Sequence, residues 1–363
     1  MKLRLQFRRY RAPFRAAVRT AHGMWAEREG LIVRLENEAG AVGYGEAAPI
    51  PWFGTETVEE DEAGGRALGE WTTQEQIAAV PARLGCLKNA LAAALAEVGR
   101  VSDPPSDISS AKGRVADPPY LGVAALLPAG RAALAQIEPR AELGFRVFKW
   151  KVGVGDAADE LGLLDDVCAA LPSGAKLRLD ANGAWDRRTA ERWLERCAER
   201  PVEYVEQPCF ADAAQSDAAR RKADDCLLGL AGDFPTPIAL DESVVGAGDI
   251  ERWIGAGWPG VFVIKPALVA DVAAALAALE KARAAVVFSS ALETAVGARA
   301  ALRVAFAWRG EPDSTGAPQV RALGFGVWPL FADGRFDGPI AMPFLRAEDV
   351  ARINPEAVWT ALS

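Results

Sequence analysis

Histidine is almost missing from this 363-residue chain, where His22 stands alone. One imidazole excludes a histidine-rich metal site and any mechanism needing two histidines. Acid–base chemistry must then fall to lysine, aspartate, glutamate or tyrosine. Cysteine is sparse: five residues, an odd number with no paired spacing. That argues against a disulfide framework or a thiolate metal cluster, and for buried thiols in a reducing cytoplasm. Positive charge is also in short supply. The 41 Lys and Arg against 49 Asp and Glu leave a net charge of −8, the wrong sign for nucleic acid or an anionic membrane. No run approaches the ~18 apolar residues of a membrane span. The start, Met1 to Arg9, alternates apolar and polar residues and lacks a signal-peptide core. A cytoplasmic protein acting on a small molecule is expected, with a homo-oligomer left open.

What the chain does have is a repeat. Short apolar segments each end in a charged residue: Val147-Phe-Lys-Trp-Lys151, Leu177-Arg-Leu-Asp180, Val202-Glu-Tyr-Val-Glu206, Ile238-Ala-Leu-Asp241 and Val261-Phe-Val-Ile-Lys265. A sixth, Ala285-Val-Val-Phe-Ser-Ser290, ends in hydroxyls and is followed by Glu293. Helical spacing fills the intervals 158–171, 188–200 and 269–284. Strand–helix alternation builds a parallel sheet, because parallel neighbours need a crossover. A polar residue at nearly every strand's C-terminal end points to a closed barrel with its active site at that end.

Upstream, the alternation of Lys2–Arg9, Leu31–Glu36 and Ala41–Glu46 reads as strands, and Val58 to Gly99 as alanine-rich helix, with Trp71-Thr-Thr opening a new one. This is an α+β, mostly antiparallel domain. The Pro-, Ser- and Asp-rich stretch 101–119 reads as a linker, and the barrel is expected to start near Tyr120 and end around Val320–Leu323. Between Glu206 and Asp241, 211–226 reads as helix and 228–237 as loop.

Asp180, Glu206 and Asp241 each end an apolar strand. Three carboxylates converging without a cation would repel and drive protons on. A hard divalent cation removes the conflict, and all-oxygen ligation favours Mg²⁺, with Mn²⁺ as a substitute. The bland alternative, that each caps the helix after its strand, weakens with three in succession. Lys149 and Lys151, two apart, share one face of a strand with Trp150 opposite. Lys265 ends a strand across the ring. Acids and lysines explain one another, and a cation flanked by ammonium groups suits removal of a proton alpha to a carboxylate. Surface ion pairing fits strand-end lysines poorly.

The set Lys149-Trp-Lys151, Asp180-Ala-Asn182, Glu206-Gln-Pro208, Asp241-Glu-Ser243 and Ile264-Lys-Pro266 resembles the muconate-lactonizing branch of the enolase superfamily, whose members pair a lysine or histidine base with Mg²⁺. The resemblance covers nearly the whole chain. It implies an α+β capping domain over 1–110, a (β/α)7β modified TIM barrel over 111–325, and a tail, 326–363, returning to the cap. Within the branch, Val263-Ile-Lys-Pro-Ala-Leu268, Phe288-Ser-Ser-Ala-Leu-Glu293 with Gly297, and Arg178 are similar to the o-succinylbenzoate synthases. That implies a lyase, a syn dehydration of 2-succinyl-6-hydroxy-2,4-cyclohexadiene-1-carboxylate in menaquinone synthesis. Lys151 would be the base, and Lys265 would stabilise the enediolate by cation–π contact. Lys149 and Arg178 would assist electrostatically, Ser289 and Ser290 would face the succinyl group, and Glu293 would join them in substrate binding.

Sister activities share the scaffold: N-acylamino acid racemase, dipeptide epimerase and muconate cycloisomerase. Against the epimerase, Val320-Arg-Ala-Leu-Gly-Phe lacks the Asp-x-Asp that holds a dipeptide ammonium. A barrel without catalysis is disfavoured because no ligand or lysine is lost. The capping loops around His22 and Trp52 follow no assignable pattern. His22 and Trp52 are candidate substrate contacts, though a solvent-facing imidazole fits His22 as well. Trp25, Trp52 and Phe53 would either exclude water as a lid or pack cap on barrel.

Overall fold

The computed structural model describes residues 2–20, 23–102, 120–212, 214–312 and 318–362. The chain opens with a long antiparallel hairpin of β1 (Lys2–Thr20) and β2 (Gly23–Asn37). β3 (Val42–Ala47) flanks β2, and β4 (Trp71–Thr73) flanks β1, giving the order β3-β2-β1-β4. Alternation puts Leu3, Leu5, Leu31, Val33 and Leu35 on one buried face. There they meet Ala90, Leu91, Ala94 and Val98 of the helix Gly85–Ser102, α3. α1 (Val58–Leu68) starts at a Thr57/Glu60 capping box.

Two expectations change here. Of the expected loop 18–25, residues 18–20 end β1 and 23–25 begin β2, and 21–22 lie outside the described residues. Trp71-Thr-Thr73 is a strand paired with Lys2–Arg4, and only its last residue caps α2 (Gln74–Ala78). Aromatic and β-branched side chains suit an edge strand better than a helix start. Of the linker 101–119, α3 takes Val101 and Ser102, and 103–119 lie outside the described residues.

After β5 (Tyr120–Gly122), strand and helix alternate: β6 (Ala125–Leu127), α4 (Leu134–Glu142), β7 (Val147–Lys151), α5 (Ala157–Ala170), β8 (Lys176–Asp180), α6 (Arg187–Cys197), β9 (Val202–Glu206), α7 (Asp217–Asp233), β10 (Ile238–Leu240), α8 (Ala247–Gly255), β11 (Val261–Ile264), α9 (Val272–Lys281), β12 (Ala285–Phe288) and α10 (Ala295–Ala307). β6 to β12 form one parallel sheet in sequence order. Leu323 bridges Val123 and Gly324 bridges Ser289, both parallel, so 323–324 closes the ring as an eighth stave. β6, β10, β11 and β12 are continuously apolar because both faces are covered. Trp150 and Trp193, both buried, pack between barrel wall and helix with centroids 6.3 Å apart.

The barrel starts within the expected stretch, and Tyr120–Gly122 leads into it. That lead-in strand pairs antiparallel with Phe344–Arg346 of the tail, and the first barrel stave starts beyond it. α7 lies later than expected, because Ser216 caps it and the buried Leu227 and Leu230 carry it on. The tail touches the cap as well. Arg15 N donates to Leu330 O at 2.8 Å, and the Arg8 guanidinium lies 4.0 Å from the Trp359 ring centroid.

A buried carboxylate helps join cap and barrel. Glu46 of β3 accepts from Thr294 N (2.9 Å) and Gly297 N (2.9 Å) at the start of α10, and from the Tyr10 hydroxyl (2.5 Å). A carboxylate at a helix N-terminus is favoured by the unpaired amides there. All five cysteines are free, though the Cys226 thiol lies 3.6 Å from that of Cys209, a proximity their spacing does not announce. Among the described residues no helix is long and apolar enough to cross a membrane.

Candidate active site

Register decides which side chains share a level at the barrel's C-terminal end. Lys151 pairs with Asp180, and Asp180 with Glu206, across β7, β8 and β9. Asp241 and Lys265 directly follow β10 and β11. One level deeper, Lys149 pairs with Arg178 and Arg178 with Tyr204. β7 and β11 stand four places apart in the ring of eight, so Lys151 and Lys265 enter from opposite sides.

The charges are tightly paired. Lys149 Nζ lies 2.9 Å from Asp180 Oδ2 and 2.6 Å from Glu206 Oε1, and Lys265 is ion-paired with Asp241. Burial opposes charge on Lys149, Asp180, Glu206 and Lys265. For Lys149 that penalty is overcome by Asp180, Glu206 and Asp241, which hold its pKa well above the ordinary range. Lys265 is likewise raised against burial by Asp241 and Glu242. Burial alone would lift Asp180, but Lys149, Lys151 and Lys265 keep it below the usual carboxylate range. Glu206 loses the contest: burial, then Asp180, push it up to about 8.

The site is therefore short of positive charge. Glu206 Oε2 is buried with no hydrogen-bond partner. A carboxylate oxygen without a donor, among acids that repel, matches the donor set of a hard divalent cation. The three acids do not yet converge on one point. Among the described residues no group of three such side chains stands in ready metal-holding geometry. Lys149 lies between two of the acids and Lys265 holds the third.

A cavity of about 220 Å³ opens over these groups. Lys149, Lys151, Asp180, Asp241 and Lys265 line it from the barrel, with Ser289 and Ser290 beside them. The cap contributes Val18, Trp25, Ile50, Trp52 and Phe53. Trp52, Ser289 and Ser290, three of the candidate substrate contacts, thus line this cavity. Ser290 Oγ donates to Glu293 at 3.0 Å, while Ser289 Oγ makes only a long bond, 3.3 Å, to Gly324 O.

Two expected substrate contacts do not reach the cavity. Arg178 sits a level too deep, 1% exposed, with its Nε 2.7 Å from Glu203 and NH1 donating to Ala322 O. Two residues back along a strand is a step of ~6.6 Å away from the mouth. Glu293 is fully buried behind Ser290 and Ala291, accepting from both, and burial lifts it to about 7. His22 lies outside the described residues.

Other contributors carry weaker sequence signals. Gln207, at φ 39°, is buried; its Oε1 accepts from Asp241 N (2.9 Å) and its Nε2 donates to Ser243 Oγ (2.8 Å). It thereby fixes the strand end that carries Asp241. Asn182, at φ 45°, donates to Glu242 Oε1 at 3.0 Å, and both line the cavity. The motifs Glu206-Gln-Pro208 and Asp180-Ala-Asn182 contain these residues without stating their geometry.

Comparison with known proteins agrees with this layout. Residues 3–98 match the family model "MenC, N-terminal domain", and 132–339 match "Enolase C-terminal domain-like". The o-succinylbenzoate synthase of Thermosynechococcus vestitus is 41% identical over 332 residues, 90% of this chain and 92% of that one. The enzyme of that name from Yersinia enterocolitica is 31% identical over 82% of this chain and 84% of its own. The crystal structure of o-succinylbenzoate synthase from Thermosynechococcus elongatus, complexed with Mg in the active site, superposes with TM-score 0.77 at 37% identity, covering 99% of both chains. Muconate lactonizing enzyme from Pseudomonas fluorescens shares the fold, at TM-score 0.76 and 22% identity over 98% of this chain and 97% of that one.

Proposed function

We propose a reaction from kinship and geometry together: the chain belongs to the o-succinylbenzoate synthase family of the enolase superfamily. It is a lyase that dehydrates 2-succinyl-6-hydroxy-2,4-cyclohexadiene-1-carboxylate to o-succinylbenzoate, a step of menaquinone biosynthesis. The observation that carries the assignment of roles is the opposition of Lys151 and Lys265 across a cavity floored by Asp180 and Asp241.

Asp180, Glu206 and Asp241 are the residues to hold Mg²⁺. When bound, the ion supplies positive charge to the substrate carboxylate and acidifies the α C–H bond. Lys151 takes the α proton on its Nζ. The electron pair left behind forms the ring double bond as the C–O bond breaks on the same face. Lys151 then gives the proton to the departing hydroxyl, which leaves as water, so the elimination is syn. Lys265, held positive by Asp241 and Glu242, stabilises the charge that builds between these events. Lys149 keeps Asp180 and Glu206 together. Ser289, with its weakly engaged hydroxyl, is the donor for the succinyl carboxylate, and the Trp25–Trp52 wall excludes water.

The test is turnover by the purified protein with Mg²⁺ in deuterated water. Conversion to the aromatic product supports the reading. Failure to convert it, with label appearing in both enantiomers of an N-acylamino acid, would replace the dehydratase by a racemase.

A further inference from the structure

The stretch Pro49-Ile-Pro-Trp-Phe-Gly-Thr55 sets two prolines and a glycine around two aromatic rings, a composition that pins the backbone. It folds as a 3-10 turn, Pro51–Phe53, with Phe53 N donating to Ile50 O and Gly54 N to Pro51 O, each at 2.9 Å. Gly54 ends the turn at φ 97°, a conformation that disfavours any side chain there. From outside, Ile50 N donates to Thr55 Oγ1 at 2.7 Å, and the buried Arg28 donates to Pro49 O at 2.8 Å. The rings are braced too: Trp25 meets Trp52 edge-on at 4.9 Å, and Trp52 meets Phe53 at 6.4 Å and 88°.

This braced ring ends over the lysine. The Phe53 centroid lies 5.2 Å from Lys265 Nζ, inside the ~6 Å reach of a cation–π contact. Lys265 is mostly buried, and its ion-pair partner is Asp241. Asp241 is also one of the residues placed to hold Mg²⁺, so it does not serve as the lysine's sole anchor. A ring holds an ammonium without adding negative charge to a site already rich in acids.

We propose that Phe53 is a positioning residue for Lys265: the cap supplies the ring face that keeps the barrel's ammonium aimed into the cavity. This deepens the dehydratase reading and rests on it for the reaction, though not for the contact itself. Lysine placement is thereby tied to docking of the cap.

Phe53→Leu removes the ring and keeps apolar bulk, Phe53→Tyr keeps the ring, and Phe53→Met is a second ringless variant should the first unfold. The first readout needs no turnover. In Mg²⁺-saturated full-length protein labelled at lysine Cε, the Lys265 signal is identified by its loss in Lys265→Arg. It is expected upfield in the wild type and Phe53→Tyr through the ring current, and unshifted in the ringless variants. The second readout is kinetic. The ringless variants should lose kcat by roughly ten-fold with a far smaller change in KM, and Phe53→Tyr should restore it. An unshifted wild-type signal, or one unchanged in Phe53→Leu and Phe53→Met, overturns the proposal whatever the activity. Wild-type kcat in a folded ringless variant overturns it as well. A shifted signal in a protein that leaves the cyclohexadiene acid untouched keeps the contact and discards the reaction.

Discussion

The Lys149 ammonium lies 2.6 Å from the Glu206 carboxylate and also reaches Asp180 at 2.9 Å. The lysine does in part what a bound cation would do. Removing it leaves two buried acids facing each other, and breaking such a pair costs about 3–5 kcal/mol. Lys149→Met should therefore lower the Tm measured in EDTA, and added Mg²⁺ should raise that Tm by more than it raises the wild type's. Equal Mg²⁺-induced shifts in the two proteins would contradict this role.

Asp241→Asn and Glu206→Gln each take one anionic oxygen donor from the candidate metal set. Calorimetric titration with Mg²⁺ should show weaker binding by an order of magnitude or more, about 1.4 kcal/mol per tenfold. Unchanged affinity in both variants would move the metal elsewhere.

Arg178 offers a contrast between depth and face. Paired with Glu203 below the cavity, it should behave as a structural group. Arg178→Met should reduce stability by about 3–5 kcal/mol in urea unfolding. KM for the substrate should stay within about two-fold in the fraction that remains folded, because the guanidinium spends its hydrogen bonds on Glu203 and Ala322 O beneath the cavity. A large rise in KM at near-native stability would restore it as a substrate-binding group.

That contrast also shows what a sequence can carry. Asp180, Glu206 and Asp241 are legible because each charge interrupts an apolar strand at its end, where a barrel gathers its chemistry. Period-two spacing likewise puts Lys149 and Lys151 on one face. The same period says nothing about level, so Arg178, on the face of Asp180, reads as a site residue while lying beneath the site. Glu293 misleads similarly, because the chain turns after Ser290 and buries it. Phe53 over Lys265 is a contact between residues far apart in the chain, brought together only when cap and barrel dock. Trp71–Thr73 becomes a strand because β1 offers it an edge, a tertiary choice that local pattern does not encode.

Asp61 gives a pH prediction away from the site. It is fully buried in the cap beside Glu56, and burial followed by the Glu56 carboxylate raises it from 3.8 to about 9. The folded state then binds a proton that the unfolded chain has already released between those values. Stability should fall as pH rises through that window, by at most about 1.4 kcal/mol per pH unit. Asp61→Asn has no proton to lose, so its stability relative to the wild type should grow from pH 5 to pH 8. A constant difference across urea titrations at these pH values would show that Asp61 ionises normally.

The most direct measurement is the rate of o-succinylbenzoate formation by Lys151→Ala beside the wild type, both saturated with Mg²⁺. A base that both removes the α proton and returns it should be worth at least 10²–10⁴-fold, so the variant should fall by about that factor with its fold and Mg²⁺ affinity intact. A near-native rate in the Lys151→Ala protein would contradict the account.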